Sequence, residues 1–109
     1  MARPVYSSAF FFEDVASGGT LGPIFALAGQ TLVLREFRAW TSPGNIGAEL
    51  ALRLLPGAFN IIDFNNLAAG QNNPDWQGRI VVPPGFGFEV VSVSFPWNVY
   101  LGGYTLTAA

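Results

Sequence analysis

The chain is interrupted too often to hold long helices. Thirteen glycines and eight prolines gather largely in seven turn-forming segments: Ser17-Gly18-Gly19, Ala28-Gly29-Gln30, Ser42-Pro43-Gly44-Asn45, Pro56-Gly57, Ala69-Gly70-Gln71-Asn72-Asn73-Pro74-Asp75, Pro83-Pro84-Gly85 and Phe95-Pro96. Glycine supplies the left-handed backbone that tight turns need, and proline fixes φ and removes an amide donor. Few windows between these segments are long enough for a helix. What lies between them is rich in β-branched and aromatic residues, the pattern of a sandwich or barrel.

Strands are expected near Val5–Phe12, Leu21–Ala28, Thr31–Trp40, Ala48–Leu55, Asn60–Phe64, Gln77–Val82, Phe86–Ser94 and Asn98–Thr107. Within the fourth, Leu50, Leu52 and Leu54 alternate with Glu49, Ala51 and Arg53, which gives one buried face at a period of two. Ala, Glu, Leu and Arg also favour helix, but Gly47 and Pro56 leave too short a window, so the strand is preferred. In the last segment Val99 and Leu101 share one parity and Tyr104 and Leu106 the other, with Gly102-Gly103 between them. One extra residue there would bring all four to one face, so a β-bulge is expected at Gly102-Gly103. The competing explanation is close approach of another backbone. Eight such segments in 109 residues fit an all-β, antiparallel β-sandwich of jelly-roll type, a single domain spanning 1–109. No segment repeats at a fixed period.

Charge is sparse. Charged residues make up 11% of the chain, against about 25% in ordinary soluble domains. A folded chain of this size has a surface of about 5,900 Å², so most of that surface is uncharged. Either uncharged polar residues and glycine coat it, or much of it lies against neighbouring subunits; the second reading is preferred. There is no lysine, and the basic residues are Arg3, Arg35, Arg38, Arg53 and Arg79. Arginine suits interface ion pairs, although a GC-rich coding sequence would give the same bias. A net charge of −2 and the lack of a basic stripe argue against nucleic-acid binding. No secretory signal is expected, because Met1 to Pro4 is followed by Val5-Tyr6-Ser7-Ser8 rather than a long apolar run. The uncharged stretches Val15–Leu34 and Val90–Ala109 are broken by turn residues and read as strand–turn–strand, not as membrane spans.

The chemistry available is limited. Histidine, cysteine and lysine are all absent, which removes disulfides, thiolate metal sites, Schiff bases and the Ser-His, Cys-His and Ser-Lys arrangements. Carboxylate pairs remain, but no two of the seven acids stand out as a pair flanking one bond, and the neighbours Glu13 and Asp14 would face opposite sides of a strand. The chain is expected to be no enzyme and to carry no cofactor. The loop from Asp63 to Asp75 is rich in oxygen ligands and could hold calcium, but it lacks the EF-hand spacing, and ordinary turn chemistry accounts for its composition better. Gly85-Phe86-Gly87 has no third glycine at the phosphate-loop position and no helix after it.

Sixteen aromatic residues include the run Phe10-Phe11-Phe12. Alternation along a strand forces at least one of those rings away from the core, where it would meet a neighbouring subunit or a second covered face. Phe10, Phe11, Phe12, Phe95 and Trp97 are the candidate subunit contacts. Trp76 and Trp97 stand beside proline in expected loops, where they could stack on sugar rings or plug the ends of the sandwich. Plugging is preferred.

The segments Trp76-Gln77-Gly78-Arg79-Ile80-Val81-Val82-Pro83-Pro84-Gly85 and Asn98-Val99-Tyr100-Leu101-Gly102-Gly103-Tyr104-Thr105-Leu106 resemble the C-terminal half of small β-sandwich virion proteins of tailed bacteriophages. The resemblance covers about the last third of the chain and is one of strands and turns. It implies a capsid decoration (cement) protein that bridges neighbouring capsid subunits, made in the host cytoplasm and carried in the virion. Its partners would be copies of itself, with a trimer favoured, and the major capsid protein or other virion proteins, but no nucleic acid and no membrane. A small tail or baseplate protein and a carbohydrate-binding β-sandwich are the alternatives. No catalytic residue is implied.

Overall fold

The computed structural model describes the backbone of residues 4–57, 59–67 and 71–108, and the side chains of 15–57, 59–67 and 71–107. Eight strands follow one another: β1 (Pro4–Val15), β2 (Thr20–Phe25), β3 (Gln30–Trp40), β4 (Ala48–Leu55), β5 (Phe59–Asn66), β6 (Asp75–Val82), β7 (Gly87–Ser94) and β8 (Trp97–Ala108). They form two antiparallel four-stranded sheets, in the orders β1-β8-β3-β6 and β2-β7-β4-β5. Consecutive strands mostly lie in different sheets, so most connections cross from one layer to the other. This is the jelly-roll sandwich the turn spacing predicts.

The layer between the sheets is apolar on both sides. β4 gives Leu50 and Leu52, β7 gives Phe88 and Val90, β3 gives Leu32, Leu34, Phe37 and Ala39, and β8 gives Trp97, Val99 and Leu101. Fully burying each large side chain contributes about 1.5–3 kcal/mol. The rings of Phe37 and Phe64 stack across the two sheets, 4.5 Å between centroids and 15° from parallel. The alternation expected in β4 holds, with one addition: Ala51 is also buried, although it lies on the other side from Leu50 and Leu52.

The bulge lies elsewhere than expected. β8 pairs with β1 without interruption through Gly102 and Gly103. The register shift falls across from them on β3, between Leu34 and Glu36, with Arg35 as the extra residue. Leu32 and Leu34 face the core before the bulge, and Phe37 and Ala39 face it afterwards. The glycine pair serves the competing explanation, close backbone approach: a Cβ on Gly103 would collide with the Val33 carbonyl. β8 therefore keeps its period through the pair, and Tyr104 pairs with Val33 on the face opposite Leu101.

Gly103→Ala is expected to destabilise the fold by about 1–3 kcal/mol, the cost of forcing an atom into packed backbone. Gly44→Ala, with nothing within 4 Å of the added atom, should change it little. Urea unfolding of the two variants checks this. Equal midpoints would mean that the strands can separate at Gly103 without cost.

Candidate functional site

The Arg35 bulge sets the outer face of the first sheet. After it, Glu36, Arg38 and Trp40 share the outward parity of β3, and their partners on β8 are Gly102, Tyr100 and Asn98. Arg38 donates to the Glu36 carboxylate at 3.0 Å, and its guanidinium sits 5.1 Å from the centre of the Tyr100 ring, within range of a cation–π contact. Gly102 leaves room for this cluster, since a Cβ there would lie 3.1 Å from the Tyr100 hydroxyl and 3.2 Å from the Glu36 side chain. Partial loss of water around the phenol, the charge of Glu36 and a hydrogen bond to it raise the Tyr100 pKa above its ordinary value, while Arg38 pulls it down.

Two depressions flank Trp40. One, of about 430 Å³, is lined by Arg38, Ala39, Trp40, Asn73, Asn98 and Tyr100. The other, of about 250 Å³, is lined by Trp40, Ser42, Asn45, Pro96, Trp97 and Asn98. Trp40 and Asn98 belong to both, so the indole, 46% exposed, stands between them.

A hydrogen-bonded frame fixes the loops beside this groove. Buried Thr41 donates from its hydroxyl to the Pro96 carbonyl at 2.9 Å and accepts from the Asn45 amide at 3.0 Å. The Asn72 side chain donates to the Thr41 carbonyl at 2.9 Å, and the Thr41 amide donates back to the Asn72 carbonyl at 2.9 Å. Asn66 donates to the Asn45 carbonyl at 2.9 Å. The 63–75 segment thus spends Asn66 and Asn72 on tying loops together, as ordinary turn chemistry would have it. Among the described residues, no group of three or more acids is placed to hold a metal ion.

The candidate contacts separate. Phe95 is 39% exposed at the β7–β8 connection. It has left-handed backbone, φ 65°, and is held there by the Ser17 hydroxyl on its amide and the Ser92 hydroxyl on its carbonyl. Trp97 is 1% exposed and part of the core; it is the plug, and its indole N–H donates to the Ser94 carbonyl at 3.3 Å. Trp76 is partly buried and packed against the core. Trp97 offers no ring to a sugar; the indole exposed by nearly half is that of Trp40, which sequence reasoning missed. The signal was present in the change of parity between Leu34 and Phe37, which turns Trp40 outward. On β1, the backbone pairs Phe11 with Leu101 and Phe10 and Phe12 with Gly102 and Tyr100; their side chains lie outside the described residues.

The two ends of the sandwich share a second feature. None of the seven segments between strands contains an Asp, Glu, Lys or Arg; every charged side chain described is on a strand. At the end formed by the β2–β3, β4–β5 and β6–β7 connections, Phe25, Leu27, Phe59 and Phe86 are exposed, Leu27 and Phe59 by about two-thirds.

No protein-family model matches the sequence, and no curated protein matches it. Among solved structures, the chain is similar to the Drosophila NLP core, described for its pentamer formation and histone binding. The identity is 12% and the TM-score 0.59, over 91% of this chain and 98% of that one. It also overlaps the infectious bursal disease virus protein VP2 in its subviral particle, at 13% identity and a TM-score of 0.47, covering 97% of this chain and 33% of that one. The first likeness shows a shared fold.

Because the folded pKa of Tyr100 lies above the unfolded one, the pair's contribution to stability is complete below the ordinary tyrosine value of about 10 and is lost as pH rises through the folded value. Glu36→Gln is expected to bring the Tyr100 ionisation back toward that ordinary value. Following tyrosinate absorbance in wild type and variant tests this; an unchanged curve would mean that the carboxylate does not act on the phenol.

Proposed function

We propose that this chain is a non-enzymatic structural subunit of a virion, a capsid decoration protein that works as a homo-oligomer seated on the shell. The observation that carries the reading is the absence of charge from every connection between strands. Loops are normally the wettest part of a domain. Here they display Leu27 and Phe86 at one end, beside Phe25 and Phe59 at the adjoining strand termini, and Ile46, Leu67 and Phe95 at the other. Aromatic side chains without nearby charge are the composition of an interface centre. The twelve charged residues share 5,992 Å² of surface, a thin coat for a free monomer.

The resemblance of residues 76–106 to phage virion proteins supports the same reading. So does the fold shared with the NLP core, which forms pentamers. In this scheme the end bearing Phe25, Leu27, Phe59 and Phe86 rests on the capsid, and Phe95, fixed in its left-handed turn, contributes to contacts at the other end. The action is mechanical: each copy bridges neighbouring shell subunits, with about 800 Å² per partner sufficient for a stable contact.

Light scattering across a dilution series is expected to give one concentration-independent oligomer. A trimer fits a symmetric decoration protein, and a pentamer would follow the NLP arrangement. Phe25→Asp with Phe86→Asp should leave the fold intact, because both rings are about half exposed, and should weaken co-sedimentation with cognate capsids by about tenfold or more. A stable monomer that leaves shells unbound would overturn the proposal.

A further inference from the structure

The groove across Trp40 has features that assembly does not use. Its rim is an indole with nearly half its surface in water. Such a face attracts the C–H side of a pyranose ring, apolar on one side and polar at the edge, as the indole itself is. Around it stand side-chain amides. Asn98 lines the depressions on both sides of Trp40, Asn73 and the Tyr100 ring line one, and Ser42 lines the other. Neither the Asn73 nor the Asn98 amide hydrogen-bonds to another described side chain or backbone group, whereas Asn45, Asn66 and Asn72 all do. An amide carries donors and an acceptor together, the combination that matches a pair of neighbouring hydroxyls.

The site is held ready. Trp40 ends β3 beside Thr41, whose backbone and hydroxyl are bonded to Asn72, Pro96 and Asn45. Asn73 follows Asn72 directly, so it inherits that anchoring. A ligand here meets a preformed surface and loses less binding energy to loop ordering. The volumes of about 430 and 250 Å³ on either side of the indole are together within the usual range for small-ligand sites, roughly 300–1,000 Å³.

Charge decides which ligand. The cation in the groove, Arg38, is paired to Glu36 at 3.0 Å and lies across from Asp75 in the register, so the lining carries no surplus positive charge. A phosphate or an acidic sugar gains nothing there. A single-stranded nucleic acid would also stack on Trp40, but it needs a positive track for its backbone, and this chain has no lysine and a net charge of −2. We infer that the groove of Trp40, Asn73, Asn98 and Tyr100 binds a neutral oligosaccharide of at least two pyranose units, one on each side of the indole. This goes beyond the structural role proposed above and does not rest on it.

The test is an amide and indole NMR titration of the full chain with cellobiose, maltose, lactose, chitobiose and mannobiose to tens of millimolar. At least one is expected to shift the Trp40 indole signal and the Asn73 and Asn98 side-chain amides saturably, while the Trp97 indole stays in place. Trp40→Ala should weaken that binding by about tenfold or more, and Asn73→Ala or Asn98→Ala by about threefold to tenfold. The solution mass of each variant is measured on the same samples. Silence toward all five sugars, or shifts that survive Trp40→Ala, overturns the inference. Silence combined with a lower oligomer mass in Trp40→Ala overturns it in a specific way, by assigning the groove to a subunit contact, and leaves the structural role standing.

Discussion

Everything outside the interior depends on two four-stranded sheets staying face to face without a disulfide. The chain has no cysteine, so between its two hydrogen-bonded ends side-chain packing holds the layers. The contact runs the length of the sandwich, from Trp97, which fills the interior by the frame at one end, through the Phe37–Phe64 stack to Phe88 and Val82. Close packing makes such a layer intolerant of added or lost volume. The long strands β1, β3 and β8 stretch the molecule to 54 × 23 × 19 Å, which leaves two small ends and four long faces.

One extra residue has effects well beyond its own position. Without Arg35 in the bulge, β3 would keep one parity from Leu32 to Trp40. Phe37 and Ala39 would then leave the core while Glu36, Arg38 and Trp40 entered it. The core and the groove are therefore set by the same irregularity. The glycine pair opposite is its complement: Gly103 admits the β3 backbone, and Gly102 leaves space for the Glu36–Tyr100 contact.

Much of this was legible in the sequence, and the limits have physical causes. Turn residues and period-two alternation are local, so the eight strands could be placed to within a few residues and Ala48–Leu55 without error. Strand order is a long-range property. Nothing in the residues of β3 says that β8 and β6 flank it, so the pairing of Trp40 with Asn98 and of Arg38 with Tyr100 could not be read. The bulge was misplaced for the same reason. A bulge shifts parity between two strands, and the glycines of β8 and the parity change of β3 are two marks of one contact, of which only the first was used. The tryptophans show a further limit: proximity to proline suggested loops, but Trp76 and Trp97 lie at the starts of β6 and β8, because proline marks where a turn ends and not which side of it a ring falls on.

The two ends of the sandwich then differ in kind, although neither carries a charge in its loops. At the groove end, Thr41, Asn45, Asn66 and Asn72 bond to one another and to the loop carbonyls, leaving the buried Asn66 Oδ1 without a partner among the described residues, so the connections are held by directed bonds even though Ile46, Leu67 and Phe95 are exposed beside them. At the other end the connections are short and made of Pro, Gly and Ala with Leu27 and Phe86, and Ala26 exchanges backbone bonds with Gly85 and Phe86; the large side chains exposed there are apolar. Hydrogen bonds give geometry but little net free energy in water, whereas apolar surface gains on being covered by almost any complementary face. In the proposed arrangement the apolar end is the one driven onto a large flat neighbour. The framed end, pointing away from the shell, keeps the precise geometry that recognition of a small polar ligand requires.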